Sequence, residues 1–143
     1  MSRKTEHDIQ ASLRRTAAAI LLVTGVVAGH WWWTLDAVAS GPNPSKLIGR
    51  WLRPDGGYVL QWADPTPKGQ LKAAYFNPRP INVSRAEWRL KDGLLNVFVE
   101  LRDVNYPGST YTLVYQPTPD TLTGIYFQAA QGQQFEVEFE RTR

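Results

Sequence analysis

From Leu47 onward the chain is cut by turn-forming residues at intervals too short for ordinary helices. Pro54–Asp55–Gly56–Gly57, Pro65–Thr66–Pro67–Lys68–Gly69, Pro78–Arg79–Pro80, Asp92–Gly93, Tyr106–Pro107–Gly108, Pro117–Thr118–Pro119–Asp120 and Gln131–Gly132 punctuate it. Between these clusters apolar residues alternate with polar ones, the period of a strand with one buried face. The spacing predicts eight strands, at 47–53, 57–64, 70–77, 81–90, 94–103, 110–116, 121–128 and 133–142. Links this short make consecutive strands antiparallel. Eight of them in sequence order form a meander sheet or its closed form, and closure is expected because it removes exposed edges. The expected fold class is therefore mostly β, an eight-stranded antiparallel up-and-down barrel.

Alternation assigns the faces. Trp51, then Tyr58, Leu60 and Trp62, then Leu71, Ala73 and Tyr75 share an inward parity with Val97, Val99, Leu101, Leu113, Tyr115, Phe135, Val137 and Phe139. In the fourth strand Ile81 and Val83 are odd while Trp88 and Leu90 are even, so a bulge is expected near residues 85–87. Strands five to seven are apolar on both parities. If one set fills the barrel, Phe98, Val114, Ile125 and Phe127 form an apolar outer patch of the kind that marks a protein or membrane contact. The alternatives are a flattened two-layer sandwich, or residues 106–111 folded over the patch.

The first forty residues differ in kind. Residues 1–15 form a polar tail with Arg3, Lys4, Arg14 and Arg15 against Glu6 and Asp8. Residues 16–35 contain no Lys, Arg, Asp or Glu. As a helix this run is about 30 Å long, the thickness of a bilayer's hydrocarbon core, so a single transmembrane helix is expected to precede the barrel. Arg14 and Arg15 stand just before it, which puts the tail in the cytoplasm and the barrel in the periplasm or outside the cell. Trp31, Trp32 and Trp33 suit the far interface, where an indole is half apolar and half wet. The competing expectation is a signal peptide cleaved after Ala39, since Ala37–Val38–Ala39 has the small-residue pattern of such a site. Residues 36–46, with Gly41, Pro42, Asn43 and Pro44, are read as a short stiff linker, and 47–143 as the domain.

Gly49–Arg50–Trp51, in the first strand of an eight-stranded meander, resembles the Gly-x-Trp signature of the lipocalins and the wider calycin-like barrels. The resemblance implies that Trp51 closes the bottom of the barrel beside Gly49, with an Arg from the barrel's end packed over it. Arg141 or Arg143 matches that role, both sharing parity with Phe135 and Phe139. It also implies a small apolar ligand held inside. The chain is shorter than a typical lipocalin and has no Cys for the family's disulfide, which brings the smaller avidin-like and bacterial protease-inhibitor barrels alongside.

Chemistry is sparse. With no Cys, disulfides, Cys-ligated zinc, iron–sulfur centres and a thiolate nucleophile are all excluded. The only His residues are His7 and His30, so the β-domain cannot build a Ser-His-Asp constellation. Phosphate loops and zincin patterns are absent, and no enzyme is expected. The net charge is +3 with the bases scattered, so nucleic acid is not an expected partner. His30, at the end of the apolar run, is a candidate axial ligand for a tetrapyrrole metal; the simpler reading is an interfacial His bonded to headgroups or water. No other cofactor and no metal is expected.

These features point first to a single-pass, membrane-anchored, non-catalytic module that docks on a larger membrane protein complex as an accessory or stabilising subunit, with lipid as its other partner. The alternative is a lipocalin-like carrier of a small apolar ligand, or an inhibitor-like secreted barrel if the N-terminal segment is cleaved. Internal volume separates the first two: a lumen of about 300 Å³ or more favours the carrier.

Overall fold

A computed structural model describes residues 41–143. The expected membrane span at 16–35, His30, the tryptophans 31–33 and the possible cleavage site lie outside the described residues. Among the described residues no helix is long and apolar enough to cross a membrane.

The strands are β1 (Gly49–Arg53), β2 (Tyr58–Ala63), β3 (Lys72–Asn77), β4 (Arg79–Ile81), β5 (Val83–Lys91), β6 (Leu94–Asp103), β7 (Tyr106–Gln116), β8 (Thr121–Gln128) and β9 (Gln133–Arg141). They form one sheet in the order β4-β3-β2-β1-β9-β8-β7-β6-β5. All pairings are antiparallel, and β1 joins β9 through Trp51 opposite Arg141 and Leu52 opposite Glu140. The two ends of that order, β4 and β5, are consecutive in the chain and meet again along β3. Gln70 bridges Glu87, Trp88 N–H donates to the Gly69 carbonyl at 2.8 Å, and Leu71 N–H donates to Ala86 at 3.2 Å. The result is an antiparallel up-and-down barrel, nearly closed, with calycin-like architecture.

The expected eight strands become nine because the Pro78–Arg79–Pro80 cluster, expected as a turn, is mostly strand. Arg79–Ile81 forms β4 and pairs with β3, Pro80 standing on a strand at the end of the sheet order. After a break at Asn82 the rest of the expected fourth strand, β5, pairs with β6. The parity conflict is resolved by a register shift between Val83 and Arg85, slightly before the expected 85–87, which turns Ser84 outward and lets Ala86 and Trp88 pack against the core. The Tyr106–Pro107–Gly108 cluster is not a turn either. β7 begins at Tyr106, Gly108 has φ +98°, and the register slips between Leu101 and Arg102. Pro107 lacks an N–H to donate and sits at this bulge, the place in a ladder where proline is tolerated. The turn itself is at Val104–Asn105, with Asn105 at φ +69°. Residues 44–47 are not plain linker: Pro44–Leu47 is a 3-10 turn, capped where the Asn43 side chain accepts from Ser45 N–H at 2.9 Å, and it delivers Leu47 into the core.

Strand direction defines two ends. Residues 47–49, 63–72, 91–94, 116–121 and 141–143 lie at one end, where residues 41–48 join the barrel. Residues 53–58, 77–83, 103–106 and 128–133 lie at the other. The first end is packed solid. Trp51, Trp62, Leu47, Leu60, Leu95, Leu113, Leu122 and Phe139 are all at most 1 % exposed there or in the middle of the barrel. The inward assignment fails for Phe135, which is 42 % exposed although its parity is right. It stands near the top of β9, where the barrel is no longer filled.

Candidate ligand-binding site

At the end away from residues 41–48 the barrel opens into a cup of about 1120 Å³. Its wall carries five tyrosines, Tyr58, Tyr75, Tyr106, Tyr111 and Tyr126, together with Phe135 and Arg53. The floor is a hydroxyl pair: Tyr75 and Tyr111, 2 % and 0 % exposed, place their phenolic oxygens 3.1 Å apart. Their rings tilt at 49° with centroids 5.6 Å apart, and Tyr111 stands edge-on to Phe139 of the packed layer below. Above the floor, Tyr126 stacks on Tyr111 at 4.6 Å, Tyr58 lies parallel to Tyr75 at 6.4 Å, and Asn77 donates its amide N–H to the Tyr106 hydroxyl.

Arg53 ends β1 two residues beyond Trp51, so it shares Trp51's inward parity but reaches the open end. Its guanidinium lies over the Tyr58 ring, 4.7 Å from the centroid, and 5.9 Å from that of Tyr126. Nε and Nη2 donate to the two oxygens of Asp55, each at 2.7 Å. Burial pulls Arg53 toward its neutral form, but the hydrogen bonds to Asp55 and the neighbouring Tyr111 hydroxyl oxygen outweigh it and leave the cation more firmly protonated than usual. Asp55, held by that guanidinium, titrates below its ordinary range. Burial pushes the Tyr111 hydroxyl up to about 12, and burial also raises Tyr75, so both remain neutral donors at physiological pH.

The closed end is sealed by an arginine stacked on an indole. Arg141, of the two arginines considered, packs over Trp51 with its guanidinium carbon 4.1 Å from the ring centroid. It donates from Nε to Asp120 at 2.6 Å and from Nη1 to the Ile48 carbonyl at 2.8 Å. The Trp51 indole N–H donates to the Leu47 carbonyl at 2.9 Å, and Tyr115 donates to Asp120 at 2.9 Å. Gly49 is required here on two counts: φ is +132°, and a Cβ would stand 3.0 Å from Arg141 Nη1.

The four residues of the expected outer patch do lie on the outer face of β6, β7 and β8, but they are not contiguous. Phe98 and Ile125 stand on either side of exposed Thr112, and the row is capped by Glu87 and Glu136. The Arg85 guanidinium covers the Phe98 ring at 4.5 Å. Only Ile125 reaches 36 % exposure; Phe98, Val114 and Phe127 are half-buried.

Sequence reasoning passed over Arg53, Tyr106, Tyr111 and Tyr126. A signal was present. Tyr58 opens β2, Tyr75 is near the end of β3, Tyr106 opens β7, and Tyr126 is near the end of β8, while Tyr111 stands at the middle of β7. In an up-and-down meander the first four positions fall toward one end, so strand direction added to parity collects them, and Tyr111 is found only as the cross-strand partner of Tyr126. Comparison with protein-family models, curated proteins and solved structures finds no match to this chain.

Proposed function

We propose that this chain is a non-catalytic, membrane-tethered barrel of lipocalin-like type that holds a small, aromatic-bearing ligand in its open end. The observation that carries the reading is the division of the interior. One half is filled by Trp51, Trp62, Leu113 and Phe139, while the other is a cup of about 1120 Å³ walled by tyrosines. A barrel built only as a scaffold for an outer face gains from filling both halves, because an unfilled lumen forfeits dispersion contacts. Ligand pockets elsewhere have similar volumes and a similar mixture of rings and a few fixed polar groups. The tyrosines favour an amphipathic ligand over a purely apolar one, because each ring couples an apolar face to a hydroxyl able to take part in a further hydrogen bond. Docking on a larger complex draws less support from the geometry, with threonine interrupting the outer patch and glutamate at both its edges. The charge-free run at 16–35 supports the tether.

The test is calorimetric titration of the full chain, purified in mild detergent, with 2-naphthylmethanol. The control is Ala130→Trp, a rim substitution in the turn after β8 that fills the mouth without touching the packed half. Measured in the same detergent, it cancels partitioning of the probe into micelles. Saturable binding at one site per chain, weakened at least about tenfold by Ala130→Trp, is expected. Absence of saturable binding, or binding indifferent to the plug, refutes the cup as the site.

A further inference from the structure

Resting on the cup as a binding site, we infer that it selects small aromatic monocarboxylates, and that Arg53 is the residue that reads the ligand's charge. An array of tyrosine faces commonly takes a cation from its ligand. Here the cation is the protein's own. The Arg53 guanidinium already occupies the space against Tyr58 and Tyr126, at 4.7 and 5.9 Å from their centroids. A cationic ligand meets a filled cage and a like charge.

An anion meets the opposite. Asp55 engages only Nε and Nη2, which leaves the hydrogens on Nη1 for another acceptor. Asp55 is itself 59 % exposed on its side chain while Arg53 is 12 % exposed. The carboxylate that now neutralises Arg53 therefore sits at the solvent side of the pair, where water screens its half of the attraction and a second acceptor can share the guanidinium. The remaining charged groups of the cup are Arg79 and Asp103 at its rim. Asp103 accepts from the backbone N–H groups of Asn82 at 2.8 Å and Val104 at 2.7 Å, and it feels the charge of Arg79. The cup's own lining thus carries two guanidiniums against one carboxylate, a surplus of one positive charge, which suits a carboxylate better than a dianionic phosphate. Of the neutral Tyr75 and Tyr111 hydroxyls on the floor one donates to the other, which leaves one proton as a further donor, and the ring walls supply the stacking surface for the aromatic body.

The experiment extends the titration to three probes of nearly equal shape: 2-naphthoate, 2-naphthylmethanol and 2-naphthylmethylammonium, with the full chain at pH 7. Naphthoate is expected to bind at least about tenfold more tightly than the alcohol, and the ammonium more weakly than either. Arg53→Gln is expected to abolish the charge preference, bringing the ratio of naphthoate to alcohol affinity from about ten or more down to about one. Because Arg53→Gln also breaks the pair with Asp55, Asp55→Asn is the second variant. It frees the guanidinium from its competitor, and naphthoate affinity should rise. Equal binding of the three probes, or weaker naphthoate binding in Asp55→Asn, overturns the charge selection while the cup stands. Failure of all three probes to bind removes the cup and this inference together.

Discussion

Two tryptophans at the packed end differ in a single respect that is open to measurement. Trp51 and Trp62 are both large and buried, at 0 % and 1 % exposure. The Trp51 indole N–H donates to the Leu47 carbonyl, whereas Trp62 Nε1 is buried with no partner. Replacing either by Phe removes part of a ring and leaves a similar cavity, costing about 1 kcal/mol. At Trp51 the change also deletes a hydrogen bond and strands a carbonyl, adding about 1–2 kcal/mol, and it weakens the stacking with Arg141, for which indole is the best ring. At Trp62 the change removes a donor whose unpaired burial costs about 1–3 kcal/mol, which offsets the cavity. Trp51→Phe is therefore expected to destabilise by about 2–3 kcal/mol, and Trp62→Phe by about zero. For a domain of this size 1 kcal/mol moves Tm by roughly 4–8 °C, so the two variants should differ by about 8 °C or more. Thermal unfolding of the full chain followed by circular dichroism reads the difference, with urea titration as a second measure. Equal losses would refute the claim that the partner of the indole N–H, and not burial alone, sets the cost.

Two further outcomes follow from the same geometry. Gly124 lies where β8 crosses β7, and a Cβ there would stand 2.0 Å from the Thr112 carbonyl oxygen and 2.9 Å from Leu113 Cα. Both are backbone atoms that cannot step aside, so Gly124→Ala should cost about 2–3 kcal/mol in chemical denaturation, and a neutral result would contradict the register of that pair. Asp120 is held below its ordinary range by the Arg141 guanidinium, with Tyr115 assisting. A depressed folded-state value contributes stability that is present above the unfolded carboxylate range, about pH 4, and is lost as pH falls through the lower folded value. Unfolding free energy should thus decline from pH 5 downward, and decline less steeply in Asp120→Asn; identical slopes would deny the ion pair its part in closing the barrel.

Much of the architecture was legible in the residues themselves because it is set by local backbone chemistry. Asp92–Gly93 takes φ of +53° and +75°, the paired positive values of the tight hairpin that Asp-Gly favours, so that turn needed no tertiary context. Period-two alternation fixed the inward faces of β2, β6 and β9 for the same reason: one register buries the apolar set and the next exposes it. The Tyr106–Pro107–Gly108 cluster misled, because Pro and Gly mark a bulge inside a strand with the same residues that mark a turn.

The sequence alone determined the strand directions, most of the turns and the parity of most strand residues, since these depend on neighbours only a few residues apart. It could not determine how far along its axis the barrel is filled. That depends on side chains that meet from strands distant in the chain: Tyr75 with Tyr111, Arg53 with Tyr58 and Tyr126, Trp51 with Arg141. Nor did it show that the fourth strand would part at Asn82 to pair with β3 on one side and β6 on the other. Only the closed ring of strands decides which inward residues meet at a packed end and which are left facing an open cup, because volume is a property of the assembled wall.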